Sequence, residues 1–188
     1  RTSAMASEIA VVVSHDYAAM REILGDKVNY VVQEQAKGTG HAVACCAEVL
    51  RDRSDVVLVL YGDHPFVRSG TLRSLTSLMT LHRPALALMT TTVPDFDDWR
   101  ATFRDFGRVV RDAAGDLVAI VEARDATLEE LEIREVNPGM YCFDAVWLWE
   151  NIGRLSPTNN AGEYYLTDLV KLAMAQGKTI ATMPIAPE

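Results

Sequence analysis

Two uninterrupted apolar runs constrain the fold more than any other feature of this sequence. They are EIAVVVS (residues 8–14) and DVVLVLYGD (55–63), and neither alternates between apolar and polar positions. Unbroken runs of this kind are typical of parallel strands covered on both faces. Between them lie the helical DYAAMREILG (16–25), the strand-like VNYVV (28–32) and the helical GHAVACCAEVLRDR (40–53). This alternation predicts βαβ units with right-handed crossovers.

The second half of the chain continues this pattern and then departs from it. SGTLRSLTSLMTLH (69–82) predicts a helix that Ser69 or Thr71 could cap, and GRVVRDAAGDLVAIVE (107–122) predicts a β-hairpin. The other regular segments are the strands PALALMTTTV (84–93), VNPGMYCFDA (136–145) and KTIATMPI (178–185), and the helices VWLWENIGRL (146–155) and GEYYLTDLVKLAMAQG (162–177). The sequence therefore predicts an α/β fold: a Rossmann-like, mostly parallel mixed sheet, flanked by helices, with an inserted hairpin.

Charge and composition exclude several classes of partner. The chain has 188 residues, 49% of them hydrophobic, and a net charge of −8, which favours one domain over residues 1–188 without a nucleic-acid partner. Cys45, Cys46 and Cys142 are too few for a disulfide framework and indicate a reducing cytosol. No apolar run approaches the ~20 residues that span a bilayer, and the first residues lack signal-peptide features. We expect a cytoplasmic protein with no membrane partner.

Polar residues that follow the buried runs are the first candidates for a site, because ligands bind beyond the carboxyl ends of parallel strands. The loop QEQAKGTGHA (33–42) follows one run and leads into a helix. Gly38 and Gly40 would let the main chain approach a ligand closely, and backbone N–H groups at a helix start favour an acceptor. The alternative is a tight turn without a ligand, capped by Thr39.

Asp63, in YGDHP, is a second candidate because it stands at the tip of a central strand. A carboxylate there suits Mg²⁺, which takes one or two protein carboxylates and completes its shell with water and substrate phosphates. The alternative is that Asp63 caps a turn ahead of Pro65. His41 and His64 do not predict zinc, since no Cys or His stands at ligand spacing, and packing or supporting roles fit them better.

Glu122 and Asn137 are polar residues at strand ends and form a third candidate group. If they converge on one crevice, their oxygens and amide suit the hydroxyls and amide of a sugar; otherwise they are ordinary turn residues. Neither a nucleophile elbow nor a Walker loop occurs in the sequence, which argues against nucleophilic catalysis and an ordinary ATPase.

Six motifs then follow in an order that resembles a known family. They are QEQAKGTGHA, VLYGDHPFV, FGRVVRD, AIVEARDAT, IREVNPGMYCFD and NNAGEYYLTDLV. The chain from about Glu8 onward is similar to N-acetylglucosamine-1-phosphate uridylyltransferases, the nucleotidyltransferase half of a bifunctional bacterial enzyme. The resemblance implies a glycosyltransferase-A-like domain that joins UTP and N-acetylglucosamine 1-phosphate into UDP-N-acetylglucosamine, a cell-wall precursor, and pyrophosphate.

The resemblance also implies roles for individual residues. Asp63 would be the catalytic residue and the ligand of the Mg²⁺ cofactor. The substrate-binding residues would fall into three groups: Gln33, Gly38 and Thr39 at the uracil; Tyr61 and Gly62 at the nucleotide and phosphates; and Gly107, Glu122, Asn137, Tyr165 and Thr167 at the sugar and ribose.

Two family features have no counterpart in this sequence. Family members begin with a strand and a Gly-rich basic loop, and they carry a second metal-binding Asn beyond the segment that matches MPIAPE. The acetyltransferase half, through which the parent enzyme would form a homotrimer, is also absent. We therefore expect these 188 residues alone to be nearly inactive.

Overall fold

The structure is a computed structural model, and it describes residues 7–64 and 67–187. The strands are β1 Ala10–Val13, β2 Asn29–Val32, β3 Val56–Val59, β4 Leu86–Thr92, β5 Gly107–Arg111, β6 Leu117–Val121, β7 Glu135–Asn137, β8 Tyr141–Asp144 and β9 Ile180–Ile185. The helices are α1 Ala18–Leu24, α2 Thr39–Cys45, α3 Ala47–Leu50, α4 Ser69–His82, α5 Leu128–Leu131, α6 Ala145–Asn151 and α7 Asp168–Ala175, with 3₁₀ helices at Asp98–Asp105 and Ile152–Arg154. Pro65, before which the sequence suggested a turn, lies outside the described residues.

Two sheets organise these strands. Strands β1 and β2 form a parallel pair in which Ala10 stands opposite Asn29. The larger sheet is built around β4, which pairs in parallel with β9 and antiparallel with both β8 and β7. Strand β3 extends this sheet beyond β8, and the β5–β6 hairpin extends it beyond β7. The mixed α/β architecture and the predicted hairpin are therefore confirmed.

The prediction that the sheet is mostly parallel is wrong. Within the described residues, parallel pairing is limited to β1–β2 and β4–β9, and the remaining pairs are antiparallel. The reason is that β8 returns between β3 and β4, with Phe143 opposite both Val57 and Leu86. A continuous apolar run indicates burial on both faces, but it carries no information about the direction of its neighbour.

Three predicted segments are interrupted in the structure. The helix predicted over 40–53 is divided at Cys46, and the strand predicted over 136–145 is divided into β7 and β8 around Gly139, which has φ 75°. The helix predicted over 162–177 begins only at Asp168. Hydrophobic patterns predict the type of an element better than the residues at which it begins and ends.

Helix starts also differ from the sequence expectations. Helix α4 begins at Ser69 without a side-chain cap, so neither Ser69 nor Thr71 caps it. The sequence did not predict the 3₁₀ helix Asp98–Asp105 or the short α5. Helix α5 has a capping box in which Thr127 and Glu130 exchange hydrogen bonds. The capping box is a local sequence signal, but a helix of four residues is too short to show a hydrophobic period beside it.

The core lies on both faces of the larger sheet. Leu86 and Leu88 of β4 face one buried cluster with α6 and α7, while Ala87 and Met89 face a second cluster with α4. This alternation places every second β4 residue in each layer. All three cysteines are free, and Cys46 and Cys142 are buried, as expected of thiols that pack as small apolar groups. No helix in the described residues has the length and apolar character needed to cross a bilayer.

Candidate functional site

The loop after β2 holds the carboxamide of Gln33 in one orientation. Gln33 Nε2 donates to the carbonyl oxygen of Gly38 at 3.2 Å and lies 2.8 Å from His41 Nδ1. Because a carbonyl oxygen only accepts, the group that faces it is the amide nitrogen. Both hydrogen bonds use Nε2, which leaves Oε1 to accept from a ligand.

The two glycines of this loop lie against the backbone of residues 163–166. A Cβ at Gly38 would stand 2.7 Å from the carbonyl oxygen of Tyr164, and a Cβ at Gly40 would stand 2.9 Å from the same atom. Gly40 N donates to that oxygen at 2.8 Å. Gly38 also has φ 98°, which disfavours any residue with a side chain. Close packing within the chain is therefore sufficient to require these glycines.

Further hydrogen bonds attach the loop to the same segment. Tyr164 N donates to the carbonyl oxygen of Lys37 at 2.8 Å, and Leu166 N donates to Thr39 Oγ1 at 3.0 Å. Thr39 does not cap α2, whose first turn has no side-chain cap. The Gln33 loop and the segment leading into α7 thus form one joined wall.

Tyr61 follows β3 and packs its ring against Gly139. A Cβ at position 139 would stand 2.9 Å from Tyr61 Cζ, so Gly139 makes room for the ring. Burial, followed by the charge of Glu122, raises the pKa of Tyr61 to about 12, while hydrogen bonds with Thr39 and Tyr141 oppose this rise. Tyr61 therefore keeps its proton near neutral pH and remains a donor.

Gly62 and Asp63 are exposed beside this ring. The Asp63 side chain is 81% exposed, and its Oδ1 lies 3.7 Å from His64 Nδ1. The His64 ring stacks on Tyr61 with centroids 6.3 Å apart, as a packing residue would. In residues 7–64 and 67–187, no three His, Cys, Asp or Glu side chains are grouped as a metal site. A lone solvated carboxylate nevertheless suits Mg²⁺ whose other ligands are water and phosphates.

Glu122 is held at the end of the hairpin by Thr167. Thr167 is 1% exposed, and its hydroxyl donates to Glu122 Oε1 at 2.8 Å. The other carboxylate oxygen faces Gly107, where a Cβ would stand 3.5 Å away. Burial raises the pKa of Glu122, and the carboxylates of Asp168 and Asp125 add to this, while Thr167 lowers it. The result is a half-buried acceptor, one of whose oxygens has a fixed donor.

Asn137 is brought to the same region by β7. It is 7% exposed and stands opposite Gly107 in the β5–β7 ladder. Its Nδ2 donates to the hydroxyl of Tyr141, and its Oδ1 accepts from Gly139 N at 3.2 Å. The carboxamide is thus oriented by protein contacts at both ends.

Tyr165 lies in a polar cavity of about 550 Å³ that Glu122 and Thr167 also line. Tyr165 is 8% exposed. Burial, with the nearby Asp125 carboxylate, raises its pKa to about 12, so its hydroxyl also keeps its proton. Asn159 and Asn160 also line this cavity, and each donates its side-chain amide to a backbone carbonyl oxygen of the chain.

The structure brings most of the sequence candidates into one continuous region. Thr39, Tyr61, Gly107, Glu122, Asn137, Tyr165 and Thr167 are joined by direct contact or through one shared neighbour. Gln33 and Gly38 form the adjoining loop, while Gly62 and Asp63 occupy the exposed side of Tyr61. Strand ends carry Tyr61, Glu122 and Asn137, while Thr39 begins α2 and Tyr165 and Thr167 lie in the segment that leads into α7.

One contributor was missed in the sequence. Tyr141 is fully buried and bonds Asn137, but it stands in an apolar run where a tyrosine signals only core packing. His41, which was assigned to packing or support, contacts the Gln33 amide and so has a supporting position. The sequence did not indicate which residue it would support.

Comparison with known proteins gives a consistent result. The model of the family described as nucleotidyl transferase matches residues 2–185. The chain is 41% identical over 183 residues to the bifunctional protein GlmU of Pelobacter propionicus, covering 96% of this chain. It is 38% identical to the bifunctional protein GlmU of Brevibacillus brevis, covering 99% of this chain. The chain spans 38% and 39% of the length of these two relatives.

The family match covers all of the residues that form the region around Glu122, Asn137 and Tyr61. Both the fold and the candidate site are therefore part of the matched domain, and this chain belongs to the nucleotidyl transferase family.

Proposed function

We propose that this domain transfers a uridylyl group from UTP to N-acetylglucosamine 1-phosphate, giving UDP-N-acetylglucosamine and pyrophosphate. The observation that carries the proposal is the continuous region formed by the Gln33 loop and the residues around Glu122. A fixed carboxamide at Gln33 adjoins a group of uncharged donors and one half-buried carboxylate, Glu122, in a nucleotidyl transferase domain. The six motifs that resemble N-acetylglucosamine-1-phosphate uridylyltransferases support this substrate pair, and the similarity to two bifunctional GlmU proteins is in keeping with it.

The Gln33 loop supplies the base site. Gln33 Oε1 is available to accept, and uracil presents an N–H between two carbonyl groups. The edge of a flat base needs close approach and directional hydrogen bonds more than positive charge. The loop meets that need, because its backbone is held in place by the 163–166 segment.

The region around Glu122 supplies the sugar site. Glu122 and Asn137 offer oriented acceptors and donors, and Tyr165 keeps a neutral hydroxyl in the adjoining cavity. Such groups suit the hydroxyls and the amide of an N-acetylated sugar. Burial raises the pKa of Glu122. Its role in this proposal is that of a hydrogen-bond acceptor, and it transfers no proton.

Asp63 would hold Mg²⁺, whose charge would neutralise the phosphate oxygens of the bound nucleotide. The exposure of the Asp63 carboxylate leaves room for water and phosphate ligands beside it. Tyr61 and Gly62 border this position and would line the nucleotide.

Bond formation itself requires little from the protein. The second pKa of a phosphate is about 6, so a sugar phosphate is already largely dianionic near neutral pH and needs no general base. Its oxygen attacks the α-phosphorus of UTP in line, the bond to the bridging oxygen breaks, and pyrophosphate leaves. The contribution of this chain is to orient the base and the sugar so that the two phosphates meet.

A substrate panel tests the proposal. The protein, expressed at its natural length, is assayed for pyrophosphate release with UTP, CTP, ATP or dTTP against N-acetylglucosamine, glucose and glucosamine 1-phosphates. We expect the highest kcat/KM for UTP with N-acetylglucosamine 1-phosphate. A clear preference for another base or sugar would refute the proposed pair and favour a different sugar-1-phosphate nucleotidylyltransferase.

The cellular setting follows from the same proposal. Nucleoside triphosphates and sugar phosphates are cytoplasmic metabolites, and three free cysteines suit a reducing compartment. A homotrimeric parent with an acetyltransferase half remains a proposal that rests on the resemblance to the bifunctional enzyme.

A further inference from the structure

We propose that His41 determines base selectivity by holding the Gln33 carboxamide with its oxygen presented to the base. This inference rests on the proposed uridylyl transfer, and it adds a positioning residue to that site. The Gly38 carbonyl oxygen and His41 Nδ1 both face the same atom of Gln33. Gln33 Nε2 lies 3.2 Å from the Gly38 carbonyl oxygen and 2.8 Å from His41 Nδ1.

The hydrogen-bonding inventory of these groups allows one arrangement. The Gly38 oxygen only accepts, so an amide oxygen at the same place would face another oxygen without a proton between them. The amide nitrogen has two N–H groups, and the second reaches His41 Nδ1. Nδ1 must then accept, which makes His41 the neutral ring with its proton on Nε2.

The position of His41 is itself well supported. It lies in the first turn of α2, whose start is bonded to the Tyr164 backbone through Gly40. Its ring packs beside that of Tyr164, with centroids 6.1 Å apart. Cys45, one turn later, places its sulfur 3.9 Å from Nδ1 and 4.0 Å from Nε2, too far for a strong competing bond.

The orientation of the Gln33 amide decides whether the loop prefers uracil or cytosine. Uracil has a donor at N3, and cytosine has an acceptor there, so a presented Oε1 attracts uracil and repels cytosine. The reverse orientation would present N–H groups and favour cytosine N3. Gln33 Nε2 donates one hydrogen bond to the Gly38 carbonyl oxygen and one to His41 Nδ1, which holds the first orientation, and His41 thereby acts on the base through Gln33.

Two substitutions of His41 separate this role from packing. His41→Phe keeps a ring but removes the acceptor, while His41→Asn keeps an acceptor close to the position of Nδ1. We expect His41→Phe to lower the UTP-to-CTP ratio of kcat/KM about tenfold, the effect of losing one orienting hydrogen bond. His41→Asn should restore the ratio to within about twofold. Cys45→Ala, which alters a neighbour on the same helix, should leave the ratio unchanged.

Nitrogen NMR of the wild-type protein provides a readout that does not depend on turnover. We expect His41 to show an unprotonated Nδ1 and a protonated Nε2, and the Gln33 amide protons to exchange slowly. A proton on Nδ1 would overturn the proposal, as would equal UTP-to-CTP ratios in the wild type and His41→Phe. Failure of the wild type to prefer UTP at all would instead refute the proposed function, even with the expected histidine tautomer.

Discussion

Replacing Thr167 by valine removes the hydroxyl that donates to the Glu122 carboxylate while preserving the shape of the side chain. The donor and acceptor are 2.8 Å apart, and Thr167 is 1% exposed, so water does not readily replace the lost group. A hydrogen bond to a charged group contributes about 1.5–3 kcal/mol, and one between neutral groups contributes about 1 kcal/mol. The loss in unfolding free energy should therefore depend on the charge of Glu122.

The direction of the pH dependence follows from the pKa of Glu122. Burial raises this pKa above its unfolded value, so the stability contributed by the neutral form is fully present below about pH 4.3 and is lost as pH rises through the folded pKa. The Thr167 hydroxyl opposes that rise, and its removal raises the pKa further. We expect Thr167→Val to lower the unfolding free energy by about 1 kcal/mol at pH 4 and about 2 kcal/mol at pH 8.

Urea unfolding from pH 4 to pH 8, followed by circular dichroism, measures this difference. Thr92→Val is a matched control because Thr92 is exposed on β4, and its effect should stay within about 0.5 kcal/mol at every pH. A Thr167→Val loss that is constant across this range would refute the electrostatic coupling between the two side chains. If Thr167→Val lowered the unfolding free energy more at pH 4 than at pH 8, Thr167 would bond the neutral carboxyl more strongly than the charged one. That result would exclude the Glu122 carboxylate as the acceptor.

Three further perturbations test other parts of the structure. Gly40→Ala should lower the unfolding free energy by about 1–3 kcal/mol, since its Cβ would stand 2.9 Å from a backbone oxygen. At Gly70 an added Cβ would meet no described atom within 4 Å beyond its chain neighbours and its own helix backbone, so Gly70→Ala should not lower the unfolding free energy. Thermal unfolding compares the two variants. Asp63→Asn should cut turnover and weaken its Mg²⁺ dependence, and unchanged kinetics across a Mg²⁺ titration would remove Asp63 from the metal site. Arg111, which bonds both carboxylate oxygens of Glu135 at 2.7 Å, lowers the pKa of Glu135, so the stability of this pair is fully present above about pH 4.3 and is lost as pH falls through the lower, folded pKa. Glu135→Gln should therefore lower the unfolding free energy at pH 7 by about 1–2 kcal/mol, and its difference from the wild type should shrink as pH falls through the folded pKa, as acid and urea titrations would show.

Local signals in the sequence predicted several elements well. The hairpin of β5 and β6 was recognisable because a Gly-containing turn joins two apolar runs, and both the turn and the runs are short-range features. The helix α1 ends before Gly25 as predicted, with φ 61° at that glycine. In such cases the deciding interactions lie within a few residues of one another.

The glycine loop illustrates where sequence reasoning was incomplete. Gly38 and Gly40 correctly indicated a close approach, but their neighbour in the structure is the Tyr164 backbone. A small residue signals that space is limited without specifying what occupies it. The approaching segment is distant along the chain, and only folding brings it to the loop.

The sequence by itself determined the α/β class, the hairpin and the strand ends at which Tyr61, Glu122 and Asn137 stand, because burial and turn preferences depend on local patterns. The tertiary structure alone decided that β8 separates β3 from β4 and that Tyr141 orients Asn137. It also decided that Thr167 bonds Glu122 and that His41 bonds Gln33. Strand pairing and side-chain hydrogen bonds depend on which distant segments meet, and that is settled by the packing of the whole core.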